Sequence, residues 1–103
     1  MNATATSYPR NKIKILLLEN ISDAAVAELE AGNYHEITRL GGALSEAELI
    51  EAVKSVHLIG IRSKTHISRA VIDAADKLLA IGAFCIGVNQ IDLQAATEKG
   101  VAV

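Results

Sequence analysis

The sequence predicts a parallel α/β domain, and three observations carry that expectation. Short apolar runs alternate along the chain with Ala-rich amphipathic segments, the rhythm of strand–helix–strand units. Polar caps and glycines punctuate the runs at the spacing of helix starts and stops. Half of the 103 residues are hydrophobic but only three are aromatic, so the core is built from Ile, Leu, Val and Ala, which suits a sheet covered by helices.

Residues Ile13 to Leu18 form the first β-type run, ending in polar Glu19-Asn20. An Ala-rich helix starts near Ser22, places Val26 and Leu29 at helical spacing, and stops at Gly32-Asn33. Tyr34 to Leu40 alternates and reads as a partly exposed second strand, broken by Gly41-Gly42. Ser45-Glu46-Ala47-Glu48 is a capping box, in which the Ser hydroxyl and the Glu carboxylate each satisfy an N–H of the first turn. Leu49, Ile50 and Val53 follow on one helical face. His57 to Ile61 is a third strand, and a helix from about Ser68 turns Val71, Ile72 and Ala75 inward. Leu78 to Ile81 is the fourth strand. Asp92 caps a helix that runs to Lys99-Gly100, and Val101-Ala102-Val103 begins a fifth strand.

Five β units with helices between them imply right-handed parallel crossovers. The simplest arrangement is flavodoxin-like, with strand order 2-1-3-4-5. The last strand is short and lacks a covering helix, so the sheet is expected to be incomplete at its C-terminal end, with more chain following. Residues 1–11, polar and containing Pro9, read as a flexible arm without the apolar stretch of a secretion signal.

Composition excludes several function classes. A formal charge of −2, from 10 basic and 12 acidic residues, gives no electrostatic reason to expect nucleic acid or an anionic membrane. No apolar run approaches the roughly 20 residues of a membrane span. Cys85 is the single cysteine, so no internal disulfide forms, which fits a reducing, cytoplasmic setting.

Open parallel sheets bind ligands at the carboxyl ends of their strands, where the strand order reverses. Here that point lies between the first and third strands, at Glu19-Asn20-Ile21 and Arg62-Ser63-Lys64-Thr65. The second loop offers two cations, two hydroxyls and the N–H groups of a helix start, all favourable to an anion. Arg62 can grip a carboxylate or phosphate with two parallel hydrogen bonds. Gly60, just before it, permits close approach of a ligand or a neighbouring backbone. The plainer reading makes Arg62 and Lys64 solvated loop charges and Ser63 or Thr65 a helix cap. The loop from Gly82 to Gln90 is apolar with two glycines. It can present main-chain donors to a carboxylate or form a turn packed against another domain, and the two are compatible.

Other chemistries fail on residue types. Gly82 and Gly87 have the spacing of a phosphate loop, but Val88-Asn89 stands where Lys-Ser/Thr is needed. No GxGxxG occurs, so the dinucleotide-binding half of a dehydrogenase is not here. His35, His57 and His66 lack metal-ligand spacing. Ser63 and His66 have no third member or oxyanion loop. His57 reads as a core or edge histidine, and Cys85 as a small buried hydrophobe. A receiver module needs a phosphate-accepting Asp where Arg62 stands.

Three segments resemble a known family. Lys12 to Glu19, His57 to His66 and Ala80 to Asp92 are similar to the bacterial D-3-phosphoglycerate dehydrogenase branch of the D-2-hydroxyacid dehydrogenases, within a similarity that runs from about Lys12 to Val103. The Arg-Ser-x-Thr-His and Cys-Ile-Gly-x-Asn-Gln blocks are the specific part. The resemblance implies that residues 12–103 are the N-terminal segment of a substrate-binding domain. The Rossmann domain, the regulatory domain and the family's catalytic His, Glu and Arg then lie outside this chain. It implies an NAD-dependent, cytoplasmic, tetrameric parent enzyme that oxidises 3-phosphoglycerate to 3-phosphohydroxypyruvate, the first step of L-serine biosynthesis, and a chain inactive by itself.

Carried over by position, Arg62 and Ser63 face the substrate. The Ile86-Gly87 turn holds the substrate carboxylate through its N–H groups and borders the cofactor, which puts Ile86 at NAD. Two departures bear on phosphate affinity. Lys64 stands where relatives often have arginine, and Gly41 where some have lysine, with Arg39 near enough in sequence to compensate. The competing class is a stand-alone module that binds a small anion or another chain without catalysis.

Overall fold

The computed structural model describes residues 12–84, 87 and 89–103. The arm expected over 1–11, and Cys85 and Ile86, lie outside the described residues. The element order is β1 (Lys14–Leu17), α1 (Asp23–Ala31), β2 (Glu36–Arg39), α2 (Glu46–Ala52) running into a 3-10 turn (Val53–Ser55), β3 (Leu58–Ile61), α3 (Arg69–Ala74), β4 (Ala80–Ala83) and α4 (Leu93–Lys99).

The sheet is parallel with order β2-β1-β3-β4. The fifth strand is reduced to one parallel bridge, Ala80 to Ala102, on the β4 side, where the order 2-1-3-4-5 places it. No described helix is long and apolar enough to cross a membrane.

Local chemistry starts each helix. Ser22, Ser45, Ser68 and Asp92 are the N-caps, and each accepts an N–H three residues on. The Ser45–Glu48 capping box is complete. Gly100 closes α4 in the left-handed conformation at φ 79°, which glycine adopts without a Cβ clash.

Alternation along β1 splits the core. Leu16 and Leu18 join the larger cluster beneath α2, α3 and α4, with Leu49, Ile61 and Val71 among its fully buried members. Ile15 and Leu17 face the other way, under α1, where Val26 and Leu29 are only half-buried. One sheet face therefore carries three helices and the other carries one.

Two expectations are corrected. The fourth strand is shifted by two residues, from Leu78–Ile81 to Ala80–Ala83. Leu78 closes a turn after α3, with its N–H donating to the Ala75 carbonyl at 3.2 Å. Gly82 and Ala83 instead pair beside Gly60 and Ile61, and the Phe84 N–H still reaches the Ile61 carbonyl at 2.8 Å. At Gly60 the close neighbours are side chains, not another backbone. A Cβ there would lie 2.6 Å from Leu17 Cδ2 and 3.1 Å from Ile21 Cδ1, so the glycine serves side-chain packing under the strand.

His57 is buried just before β3, and its Nδ1 accepts the Lys14 N–H at 3.0 Å. Burial, helped by the charges of Lys77 and Lys14, lowers its pKa from the ordinary 6.5. The unfolded chain thus takes up this proton at a higher pH than the folded one. The corresponding stability is complete above about pH 6.5 and is lost as pH falls from there through the folded value. His57→Asn keeps an acceptor near the Nδ1 position but does not titrate. Urea midpoints measured against pH should therefore flatten just below about pH 6.5 in the variant. A wild-type slope would mean that another group carries the acid sensitivity.

Candidate functional site

The carboxyl ends of β1 and β3 lie side by side, and the loops leaving them meet. After β1, Glu19 and Asn20 both adopt positive φ, 62° and 55°. The Glu19 N–H donates to the Gly42 carbonyl at 3.2 Å and the Asn20 N–H to the Leu40 carbonyl at 3.0 Å. This tight turn points the Glu19 carboxylate at the loop after β3. Its oxygens accept the N–H groups of Arg62 at 2.8 Å, Lys64 at 2.8 Å and Thr65 at 3.0 Å.

Partial burial would raise the pKa of Glu19. The amides of Lys64, Arg62 and Thr65, with the nearby Thr65 hydroxyl, outweigh it and hold the carboxyl below its ordinary value. That hydroxyl is fully buried and makes no hydrogen bond of good geometry among the described residues, so its contribution is that of a nearby dipole.

This arrangement corrects the sequence reading of the loop. Three of its N–H groups are occupied by Glu19 and are not offered to a ligand. Nor is the helix capped by Ser63 or Thr65, because Ser68 performs that role. The exposed side chains of Arg62, Ser63 and Lys64 remain, and they are what an anion would meet. Sequence reading placed Glu19 in a loop at the strand reversal but gave it no partner. Its hydrogen-bond partners lie 43 to 46 residues away, so no local signal revealed the role.

Two clefts flank the loop. One, of about 350 Å³, runs between Glu19, Gly41–Ala43 and Arg62–Lys64. The other, of about 580 Å³, is lined by Arg62, Ser63, His66, Phe84, Gly87 and Asn89–Gln90. Arg62 and Ser63 belong to both. The Gln90 amide donates to the Arg62 carbonyl at 3.0 Å, and the Ile67 N–H donates to the Gln90 carbonyl at 2.8 Å, which laces the two loops together.

The structure thus brings Arg62, Ser63 and Gly87 to one place, while Ile86 lies outside the described residues. Gly41 lines the first cleft, and a Cβ there would meet nothing within 4 Å, so the position has room for a side chain. Arg39 does not compensate for it. Its Nε donates to the Ile21 carbonyl at 2.9 Å and its guanidinium pairs with Asp23 at 2.6 Å, which turns it toward the start of α1.

Residues 15–103 match the family model described as D-isomer specific 2-hydroxyacid dehydrogenase, catalytic domain. The chain belongs to this family. It is 46% identical over 97 residues to D-3-phosphoglycerate dehydrogenase of Escherichia coli K12, covering 94% of this chain and 24% of that protein. Identity is 48% over 96 residues to D-3-phosphoglycerate dehydrogenase 1 of Saccharomyces cerevisiae, covering 93% and 20%. The similarity therefore reaches beyond bacteria.

The solved NAD+-bound 3-phosphoglycerate dehydrogenase of Entamoeba histolytica aligns with a TM-score of 0.73 at 23% identity, over 87% of this chain and 31% of that one, a likeness of fold. The chain spans about a fifth to a quarter of the length of the curated relatives it matches. As a 2-hydroxyacid dehydrogenase segment it carries the sheet and the two clefts. Among the described residues, no group of three or more His, Cys, Asp or Glu could hold a metal ion.

Proposed function

We propose that this chain forms one wall of the substrate cleft of an NAD-dependent D-3-phosphoglycerate dehydrogenase, which oxidises 3-phosphoglycerate to 3-phosphohydroxypyruvate in the first step of L-serine biosynthesis. The observation that carries the reading is the place of Arg62 and Ser63 on the shared rim of two clefts. A three-carbon acid with a phosphate at one end and a carboxylate at the other has an anion for each cleft. Lys64 stands on the first side, for the phosphate. Gly87 stands on the second, for the carboxylate. Holding both ends fixes the carbon between them for hydride transfer.

The residues here fit one edge of NAD and not the whole dinucleotide. No GxGxxG turn occurs in the 103 residues, so the pyrophosphate has no cradle on this chain. The Ile86-Gly87 turn would border the cofactor. When bound, NAD supplies the hydride acceptor. The base for the hydroxyl proton and the main cofactor site belong to other parts of the polypeptide, and the chain alone is expected to be inactive. The working enzyme, on this reading, is a cytoplasmic homotetramer.

The test is an NMR titration of the chain with 3-phosphoglycerate, using D-lactate as the hydroxy acid without a phosphate. Amide signals of residues 62–65 and Gly87 should move with the first and much less with the second. An equal response to both would leave only a general 2-hydroxyacid wall. Silence toward both would remove these clefts as the substrate site.

A further inference from the structure

Glu19 looks out of place beside a cleft meant for an anion, because a carboxylate close to a phosphate repels it. Its bonding suggests why it is there. Both oxygens are engaged by the N–H groups of Arg62, Lys64 and Thr65, and these residues are the two cations of the loop and the buried threonine that anchors it. Gln90 holds the Arg62 carbonyl at 3.0 Å, while Glu19 holds the amides of Arg62, Lys64 and Thr65. The loop is exposed at Arg62, Ser63 and Lys64, it lies between the end of β3 and the Ile67 bridge to Ile91, and α3 does not begin until Arg69. Glu19 is itself kept in a left-handed turn by the Gly42 and Leu40 carbonyls. Two positive-φ residues in succession without glycine are a conformation that the surrounding structure must enforce.

We propose that Glu19 is a positioning residue for the anion site: by clamping three loop amides it aims the Arg62, Ser63 and Lys64 side chains into the two clefts. The inference rests on the reading of these clefts as the substrate site. It makes the carboxylate a net aid to anion binding despite its charge, because pre-set donors lose less freedom when the ligand arrives.

The two effects have opposite signs, and this makes the test decisive. Removing a negative charge beside an anion site tightens binding if the charge acts only through the field. Losing the clamp weakens it. In the chain titrated with 3-phosphoglycerate, Glu19→Gln is expected to raise Kd by about three- to ten-fold. Glu19→Asp retains the charge but withdraws it by one methylene, and it should also weaken binding. It serves as the second variant if the first does not fold. In an Arg62→Ala background the Glu19→Gln step should shrink to less than about two-fold, since residues acting through one another are not additive.

Binding by Glu19→Gln as tight as wild type, or tighter, would overturn the positioning role while leaving the substrate site intact. Full additivity with Arg62→Ala would overturn it as well. A wild-type chain that ignores 3-phosphoglycerate would instead remove the substrate reading, and the role of Glu19 with it.

Discussion

Replacing Arg62 with alanine is expected to raise the KM of the assembled enzyme for 3-phosphoglycerate steeply while kcat changes far less. Arg62 lines both clefts, and its planar fork can hold two oxygens of one anionic group. On the proposed reading, closure of the cofactor domain over the site removes water from that pair. Truncating one partner of a desolvated ion pair costs about 2–4 kcal/mol, a factor of roughly 30 to 1,000. On the proposed reading the contact is made to an end of the substrate that does not react. It is therefore equally strong in the ground and transition states, and its loss appears in KM. Arg62→Lys should recover only part of the affinity, because a point charge replaces the fork. Steady-state kinetics of the two variants decide the matter, and an unchanged KM in Arg62→Ala would take Arg62 out of the site. In the chain alone the same guanidinium is exposed, so the effect there should be much smaller.

The largest loss of stability is expected one residue earlier, from Ile61→Ala. Ile61 is fully buried in the cluster beneath α2, α3 and α4. Its backbone pairs with Ala83 and receives the Phe84 N–H. Deleting three carbons there forfeits their burial and leaves a cavity between a strand and helices that cannot close on it fully. Such changes cost about 2–5 kcal/mol, against a total of about 5–15 kcal/mol for an ordinary domain. Urea denaturation should show a lower midpoint with little change in slope. A loss under about 1 kcal/mol would mean that the sheet and helices collapse around the missing side chain. Arg62→Ala, whose side chain is exposed, should leave this midpoint nearly unchanged, so the two neighbours separate binding from folding.

Much of this was legible in the chain. The caps Ser45 and Asp92 were read at the residues where they act, and the helix starts near Ser22 and Ser68 were placed correctly, because a cap and its N–H lie three positions apart. The parallel order followed from the alternation of elements, and the loops at the reversal between the first and third strands do lie side by side. Arg62, Ser63 and Gly87 were named from their blocks and do converge. The ends of the fourth strand were misjudged because Leu78 and Leu79 are as apolar as Ile81. Which of them enters the sheet depends on the turn that ends α3. Arg39 was assigned to the wrong neighbour because sequence proximity to Gly41 says nothing about the direction of a side chain on an edge strand.

The sequence by itself determined the helix starts, the apolar faces and the class of fold, since these arise from contacts within a few residues or from patterns of period two and 3.6. Only the tertiary structure decided what the loop amides after β3 do. The carboxylate that occupies them is more than forty residues away in the chain. It arrives there because β1 and β3 are neighbours in the sheet and a left-handed turn ends β1. The physical reason is general: short-range hydrogen bonds leave their mark in adjacent residues, while a contact between two loops exists only once the strands beneath them are in register.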